Sequence, residues 1–464
     1  MTVRKLFRLT ANLLLWLSLL AATVFLRPSG LVSVHAARSA AFSPPAWAGL
    51  RSEAPAVKII YVNKHATGSH TGASWANAFT DLQDALDIAS FSDHIWVASG
   101  VYTPTHQILL TDTRTATFSL LEGVEVFGGF KGDETSLIQR NLRANPSILS
   151  GDLNGNDVAS DFPTGPTYSE NSYHVVTADY LNQPTRLDGF TIQGGNANDT
   201  TTGSPFQNGG GLYNTQSAAN LVNLIFYKNF GRQGGGLYNV DTYSYIINCA
   251  FIGNQSNFGG GLRNIHSDTT LINTVFTGNS AYRAGAIYNS SSNPNIENIT
   301  VAYNWGSDQF PEPKIGGILN DNDSHLILKN SILWGNYPSQ IKNESDAPAS
   351  SSELYFSDVQ DDCSGFGVTC TGLGLTIDPH FENPPGLDGI SGTLDDNLRL
   401  NWTSPAIDAG DNSVVPLDDV DINYNGIITE TMPYDLDNNS RLIGTVDLGA
   451  YEAKIYLYLP VIRK

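Results

Sequence analysis

The sequence predicts an all-β fold, a right-handed parallel β-helix (solenoid) with a short N-terminal capping helix and a loop-rich C-terminal region. Three observations carry that prediction. First, asparagine recurs in three series that keep one register: Asn214, Asn239, Asn264, Asn289 and Asn320; then Asn223, Asn248, Asn273, Asn298 and Asn330; then Asn229, Asn254, Asn279, Asn304 and Asn336. The first series steps by 25, 25, 25 and 31 residues. Second, apolar residues hold a fixed phase to these asparagines: Leu212, Leu237, Leu262, Ile287 and Ile318 lie two before the first Asn, Leu221, Ile246, Leu271, Ile296 and Leu328 two before the second. Phe226, Phe251, Phe276, Val301 and Leu333 lie three after the second. Third, no copy holds the 3.6-residue stripe of a helical repeat. A period near 25 suits one coil of a parallel β-helix, whereas a propeller blade needs about 40 residues.

Each copy therefore reads as three short strands, each with one inward apolar residue, separated by Asn or Gly bends. Asparagine tolerates left-handed backbone angles and suits such bends. Stacked about every 4.8 Å, its amide also bonds to the same amide of the next coil. An inward Leu, Ile or Phe stabilises by roughly 1.5–3 kcal/mol on burial. One coil cannot bury its own face, so neighbours must stack.

In chain order, residues 1–36 read as a signal peptide. Arg4, Lys5 and Arg8 precede an apolar run from Leu13 to Leu26, and Val34-His35-Ala36 offers small residues for cleavage. That run is short for a membrane span, so secretion to the outside or the cell surface is expected, with no span left after cleavage. Residues 37–58 read as a linker. The β-helix is placed at 59–336, with its regular coils at 209–336. Its entry cap holds a helix with Thr80 and Gln83 at capping-box spacing and Leu82, Ala85, Leu86 and Ala89 on one face. Such a helix covers the open end of the core. Ile95-Trp96-Val97 is the first strand expected beyond it. Residues 337–454 read as irregular coils and loops, and 455–464 as a tail.

The formal charge is −20, and loss of the four basic residues in 1–36 takes it to −24. Such acidity disfavours nucleic acid and anionic lipid as partners and is compatible with calcium. Of three cysteines, Cys363 and Cys370 bracket a Gly-rich loop and are expected to pair in an oxidising compartment. Cys249, just after a bend Asn, reads as a buried small hydrophobe.

Several segments resemble one family specifically. Ser74-Trp75-Ala76-Asn77-Ala78-Phe79, Asp81-Leu82-Gln83, Ile148-Leu149-Ser150-Gly151-Asp152, the Gly-Gly-Gly-Leu-Tyr-Asn copies, Ser404-Pro405-Ala406-Ile407-Asp408-Ala409-Gly410 and Asp447-Leu448-Gly449-Ala450-Tyr451-Glu452 look like the secreted bacterial choice-of-anchor Q domain proteins. That resemblance implies a pectin-lyase-like fold over nearly the whole chain after the signal. Few members have a known activity.

Candidate chemistry is sparse. Asp421, Asn423 and Asn425, followed by Gly426, follow the start of a calcium loop, but its twelfth position is Met432 and Glu430 comes two residues early. Asp435, Asp437 and Asn439 follow closely and can share a cation with them. Asp152, Asn154 and Asn156 form a third alternation. All of these serve equally as Asx turns in solvated loops.

The residue before each first-series Asn faces outward by strand alternation: Tyr213, Tyr238, Arg263, Tyr288 and Leu319. Such a strip either binds sugar rings or stacks on itself to shield the sheet. Glycoside hydrolysis needs two carboxylates about 5–10 Å apart, and Asp241 with Asp268 is the nearest approach to a pair. A lyase base is sought at Arg263 or Arg283. The sequence thus favours a non-catalytic secreted or surface scaffold of adhesion type, with calcium as its candidate ion and polysaccharide or cell-envelope components as partners. The alternative is a polysaccharide-binding protein, or a polysaccharide lyase or glycosidase, acting through the Tyr strip.

Overall fold

The computed structural model describes residues 57–307, 314–346, 348–360, 363–372 and 374–453. The expected signal peptide, most of the linker and the tail lie outside them. The described residues wind into a right-handed parallel β-helix, the hand that parallel crossover connections take. An eleven-strand sheet runs from Ile59–Val62 to Val368–Thr371, and a nine-strand sheet from Gly100–Tyr102 to Asp358–Val359. An eight-strand sheet runs from Phe118–Ser119 to Ile341–Asn343, and a five-strand sheet from Asn196–Ala197 to Trp305–Gly306. All neighbours in these sheets pair in parallel. Among the described strands only Phe381–Asn383 and Asn397–Leu400 pair antiparallel.

The three apolar series stack as the period requires. Leu212 pairs with Leu237, Leu237 with Leu262, Leu262 with Ile287 and Ile287 with Ile318. Leu221, Ile246, Leu271, Ile296 and Leu328 do the same in the eleven-strand sheet. Every member of the three series is fully buried. Phe226, Phe251 and Phe276 lie face to face with centroids 4.5 Å apart. Side chains that cannot find apolar contact within their own coil find it one coil away.

The three asparagine series have different jobs, and only one is a bend. Asn223, Asn248, Asn273, Asn298 and Asn330 have φ of 52°, 54°, 49°, 54° and 46°, the left-handed corner foreseen for them. The first series instead lies within strands and points inward. There Asn214 donates to Asn239 at 2.9 Å, Asn239 to Asn264 at 3.0 Å and Asn264 to Asn289 at 2.9 Å. In the third series the left-handed residue comes one earlier, at Lys228, Gly253, Gly278, Tyr303 and Gly335. From Asn254 onward each of these asparagines accepts, at its side-chain oxygen, the backbone N–H and amide of the asparagine one coil before, as Asn254 does from Asn229, while Asn229 accepts the Gly195 N–H. Buried amides are mostly hydrogen-bonded, and in this third series the stack supplies the partner.

A coil has four strands, not three. The extra one, such as Gln255–Phe258, buries only a small residue: Gly231, Ser256, Ala281 or Gly306. It lacks the large inward side chain by which strands are read. Backbone crowding explains the choice, because a Cβ on Gly235 would meet the Gln255 carbonyl oxygen at 2.4 Å. The preceding Gly234 turns the chain with φ +62°.

At the entry end, Ile59–Val62 precedes the expected first strand and pairs with it, Ile60 opposite Ile95. The helix spans Leu82–Ile88, capped by the Asp81 side chain accepting from Gln83 N–H rather than by Thr80. Leu82, Ala85 and Leu86 close the core against this strand pair.

Coil stacking continues beyond Asn336 through Ser351–Tyr355 and Val368–Thr371. The chain then returns along the outside of the helix. Val415, Ile422, Met432 and Val446 bury the outward Val222, Ile247 and Ile272. Leu400, Ala406 and Leu448 cover Ile332. Asn273 donates to the Tyr434 carbonyl at 2.7 Å and Asn330 to that of Asp411 at 3.0 Å. The return segment thus uses the amides of the bend series as its footing.

Candidate functional site

The outward strip lies on the eight-strand sheet, where strand register puts Tyr213 beside Tyr238, Tyr238 beside Arg263, Arg263 beside Tyr288 and Tyr288 beside Leu319. Its ring faces are used up internally. Tyr213 stacks on Tyr238 with centroids 5.7 Å apart and planes 7° apart, and His174 stacks on Tyr213 at 5.1 Å. The Arg263 guanidinium lies over Tyr288 at 4.9 Å and over Phe258 at 5.0 Å. Tyr238 and Tyr288 are 7% and 3% exposed, so a sugar ring meets ring edges, not faces. Neighbours from the fourth strand, Phe258 and Arg283, wall the strip; the sequence reading missed this because it had no fourth strand.

Charge along the strip is arranged in a chain. Tyr288 donates to Asp321 at 2.6 Å, and burial followed by that bond pushes its hydroxyl up to about 12. Arg283 reaches Glu344 at 3.2 Å and Asp321 at 3.7 Å, and Lys342 approaches Glu344 at 3.9 Å. Arg263 differs: among the described residues no carboxylate forms an ion pair with it, and its buried Nε has no hydrogen-bond partner. Burial weakens its hold on its proton.

Asp241 and Asp268, the weak catalytic pair, each contact a different residue of the next coil. Asp241 faces His266 at 3.6 Å, while Asp268 accepts from Asn293 N–H at 2.8 Å. Both side chains are engaged by the next coil along.

The Asp421 loop closes on itself. Asp421 accepts from Asn425 and Gly426 N–H at 2.9 and 3.0 Å, and Glu430 accepts from the amides of Asn423 and Asn425 at 2.7 Å each. Asp435 and Asp437 have partners of their own. Asp435 accepts from Asp437, Asn439 and Glu452 N–H, and Asp437 forms a two-point pair with Arg399 at 2.5 Å. Each cluster is thus engaged by partners of its own.

At the Asp152 loop the alternation in sequence is joined by acids outside it. Asp152 accepts from Asn156 and Asp157 N–H at 3.0 Å each. The carboxylates that gather there are Asp152, Asp157 and Glu170, with ligand oxygens all within 4.8 Å of one another. Asn154 and Asn156 are exposed on the same turn. Burial pushes the Asp157 carboxyl up to about 7, offset in part by the Asn171 amide. Glu170 lies in the same excursion but outside the Asp-rich turn at 152–157, so that turn was the available signal.

Cys363 and Cys370 form a disulfide with Cα atoms 6.0 Å apart. Cys249 is fully buried, and burial raises its thiol to about 12, which leaves it unreactive. No helix among the described residues is long and apolar enough to cross a membrane.

Four parallel sheets wound as coils define the class of this protein, a right-handed parallel β-helix. No family model matches the chain, and no curated protein matches it. Among solved structures it is similar to the pectate lyase Pel9A at 15% identity, over 86% of this chain and 96% of that one, with a TM-score of 0.46. A rhamnogalacturonan lyase matches at 12% identity over 74% and 97% with a TM-score of 0.34. The pectin methylesterase PemA from Erwinia chrysanthemi matches at 12% over 68% and 92%, with a TM-score of 0.31. Likeness at this level carries no argument about activity.

Proposed function

We propose that this chain is a secreted or cell-surface β-helix scaffold of the choice-of-anchor Q type, non-catalytic and stabilised by calcium. The observation that supports this most is the internal use of its outer faces. Tyrosine faces on the eight-strand sheet stack on each other, and the return segment covers the outward residues Val222, Ile247 and Ile272. The coil carboxylates Asp241, Asp268, Glu297 and Asp321 each hold a neighbouring side chain or backbone. The test is incubation of the purified protein with a polysaccharide panel, with and without calcium. Reducing ends, unsaturated products and binding are measured. The scaffold reading expects no product; release of either product overturns it.

One observation favours a second reading, binding of a carboxylated polysaccharide or cell-envelope polymer. Arg263 is a desolvated cation without an acid of its own, at the midpoint of the strip between Tyr238 and Tyr288. A carboxylate reaching it would form a charge-assisted bond. On this reading Arg263→Met abolishes binding to carboxylated polymers, and Tyr238→Ala weakens it, while circular dichroism stays unchanged. Equal binding by the parent and Arg263→Met removes the reading.

A further inference from the structure

We propose that Asp152, Asp157 and Glu170, with the amide oxygen of Asn171, form a calcium site that clamps the excursion between strands Ser147–Ser150 and Val176–Asp179 onto the helix. The site is distinct from the Asp421 loop and stands whether or not the scaffold reading does.

Three features of this corner point to a bound cation. Two oxygens on opposite sides of a calcium ion are separated by about twice the usual 2.3–2.6 Å bond length. The three carboxylates, with ligand oxygens all within 4.8 Å of one another, are close enough to share one such ion. No lysine or arginine among the described residues forms an ion pair with any of them. Arg114, which feels the Glu170 charge, spends its guanidinium on the carbonyls of Asn171 and Asn196 at 2.8 and 2.7 Å and on Asn198 Oδ1 at 2.8 Å. It fixes the walls and neutralises none of the cluster by direct contact.

The second feature is independent of the acids. Asn171 is fully buried, and its amide Nδ2 donates to Asp157 Oδ2 at 2.9 Å and to the Gly194 carbonyl at 2.6 Å. Its Oδ1, on the same amide group that bonds Asp157, is buried with no partner. Buried carbonyl oxygens in folded proteins are rarely left bare. Asp157 Oδ1 and Glu170 Oε1 are bare in the same way, as are the buried Ser172 Oγ and Asn196 Oδ1 of the adjoining residues. All are oxygens, the donor set of a hard cation.

The third is the shape of the backbone. Gly194 takes φ +71°, and a Cβ there would come within 3.2 Å of Asp157 Oδ2. The glycine corner lets the helix backbone close over the carboxylates. Oxygens this widely spread suit calcium better than magnesium, which demands a tight octahedron at about 2.0–2.1 Å.

The test uses the full chain freed of metal by chelation and titrated with calcium by calorimetry, alongside the Asp157→Asn and Asp421→Asn variants. The expected result is one binding event lost in Asp157→Asn and kept in Asp421→Asn. Saturating calcium raises the melting temperature by roughly 3–8 °C in the parent and not in Asp157→Asn. If Asp157→Asn fails to fold, terbium luminescence replaces it. Tyr168, whose hydroxyl is raised by burial and then by the Asp157 charge, should sensitise emission. Tyr168→Phe then cuts emission several-fold, whereas Tyr424→Phe does not. The proposal is overturned by calcium binding in Asp157→Asn equal to the parent, by no binding in the parent, by a loss confined to Asp421→Asn, or by an equal melting shift with magnesium. Emission unchanged in Tyr168→Phe overturns it too.

Discussion

The Tyr424 hydroxyl donates to Asp188 at 2.5 Å, joining residues 236 apart in the chain. Asp188 is fully buried on the eleven-strand sheet, paired with Arg140 at 3.1 Å and Arg186 at 2.7 Å. Arg186 also donates to the Val420 carbonyl at 2.7 Å. The return segment is thereby bolted to the helix through one shared carboxylate.

Tyr424→Phe removes a hydrogen bond to a charged group and should cost about 1.5–3 kcal/mol in urea unfolding. Asp188→Asn leaves two buried guanidinium groups underpaired and should cost more, about 3–5 kcal/mol. Burial alone would raise the Asp188 carboxyl, but Arg140, Arg186, Asn223 and Tyr424 pull it down to about 2. Its folded value is below the unfolded one, so its contribution is present above pH 4 and is lost as pH falls from 4 to 2. A parent and Asp188→Asn with parallel stability curves over that window would contradict this assignment.

Asp358 should behave in the opposite sense. It is fully buried, neither oxygen has a partner at full hydrogen-bond geometry, and burial raises its carboxyl to about 7, with slight relief from the Ile377 N–H. A raised folded value means ionisation opposes folding: the cost is absent below pH 4, grows up to pH 7 and stays constant above it. Asp358→Asn should match the parent near pH 4 and exceed it at pH 8, by on the order of 2–4 kcal/mol. Melting curves at the two pH values decide it.

The asparagine series are separable by glycine substitution. Asn264→Gly removes bonds to Asn239, Asn289 and Thr269 and should cost about 2–4 kcal/mol. Asn298 has φ 54° and two buried side-chain atoms without partners, so Asn298→Gly should stay within about 0.5 kcal/mol of the parent. Equal losses in chemical denaturation would show that both residues serve the ladder alone.

Arg263→Met probes the strip without any ligand. Replacing an underpaired, half-buried cation by an apolar side chain of similar length should leave stability unchanged or raise it by about 1–2 kcal/mol. A loss above about 1 kcal/mol would mean that the contacts with Tyr288 and Phe258 stabilise the fold more than desolvation of the charge opposes it.

How much could be read from the sequence follows from what repeats. Leu237, Ile246 and Phe251 recur at one phase because each needs the same apolar neighbour one coil away, and that demand is visible in the chain. Asn239 and Asn248 look alike in sequence yet differ in space, one an inward strand residue and the other a left-handed corner. Gln255–Phe258 escaped because its inward residue is Ser256, which leaves no hydrophobic mark. Glu170 and Tyr424 escaped for a third reason: Glu170 meets Asp157 within one irregular excursion and Tyr424 meets Asp188 across the fold, and one-time contacts leave no periodic trace. The strip of Tyr213, Tyr238 and Tyr288 was placed on its sheet by alternation alone. Its depth depends on Phe258 and Arg283, which belong to the unseen strand.

The return segment also changes how this molecule must come into being. A plain solenoid can add coils one by one as the chain emerges, each finished by the next. Here Val222, Ile247 and Ile272 wait for Val415, Ile422 and Met432, so the early coils stay greasy on one flank until nearly the whole polypeptide has appeared. Completion is a single late event that seals many coils together. A chain cut short before Asp418 would bare that flank along its length, and clumping would report the truncation before any loss of coil structure did.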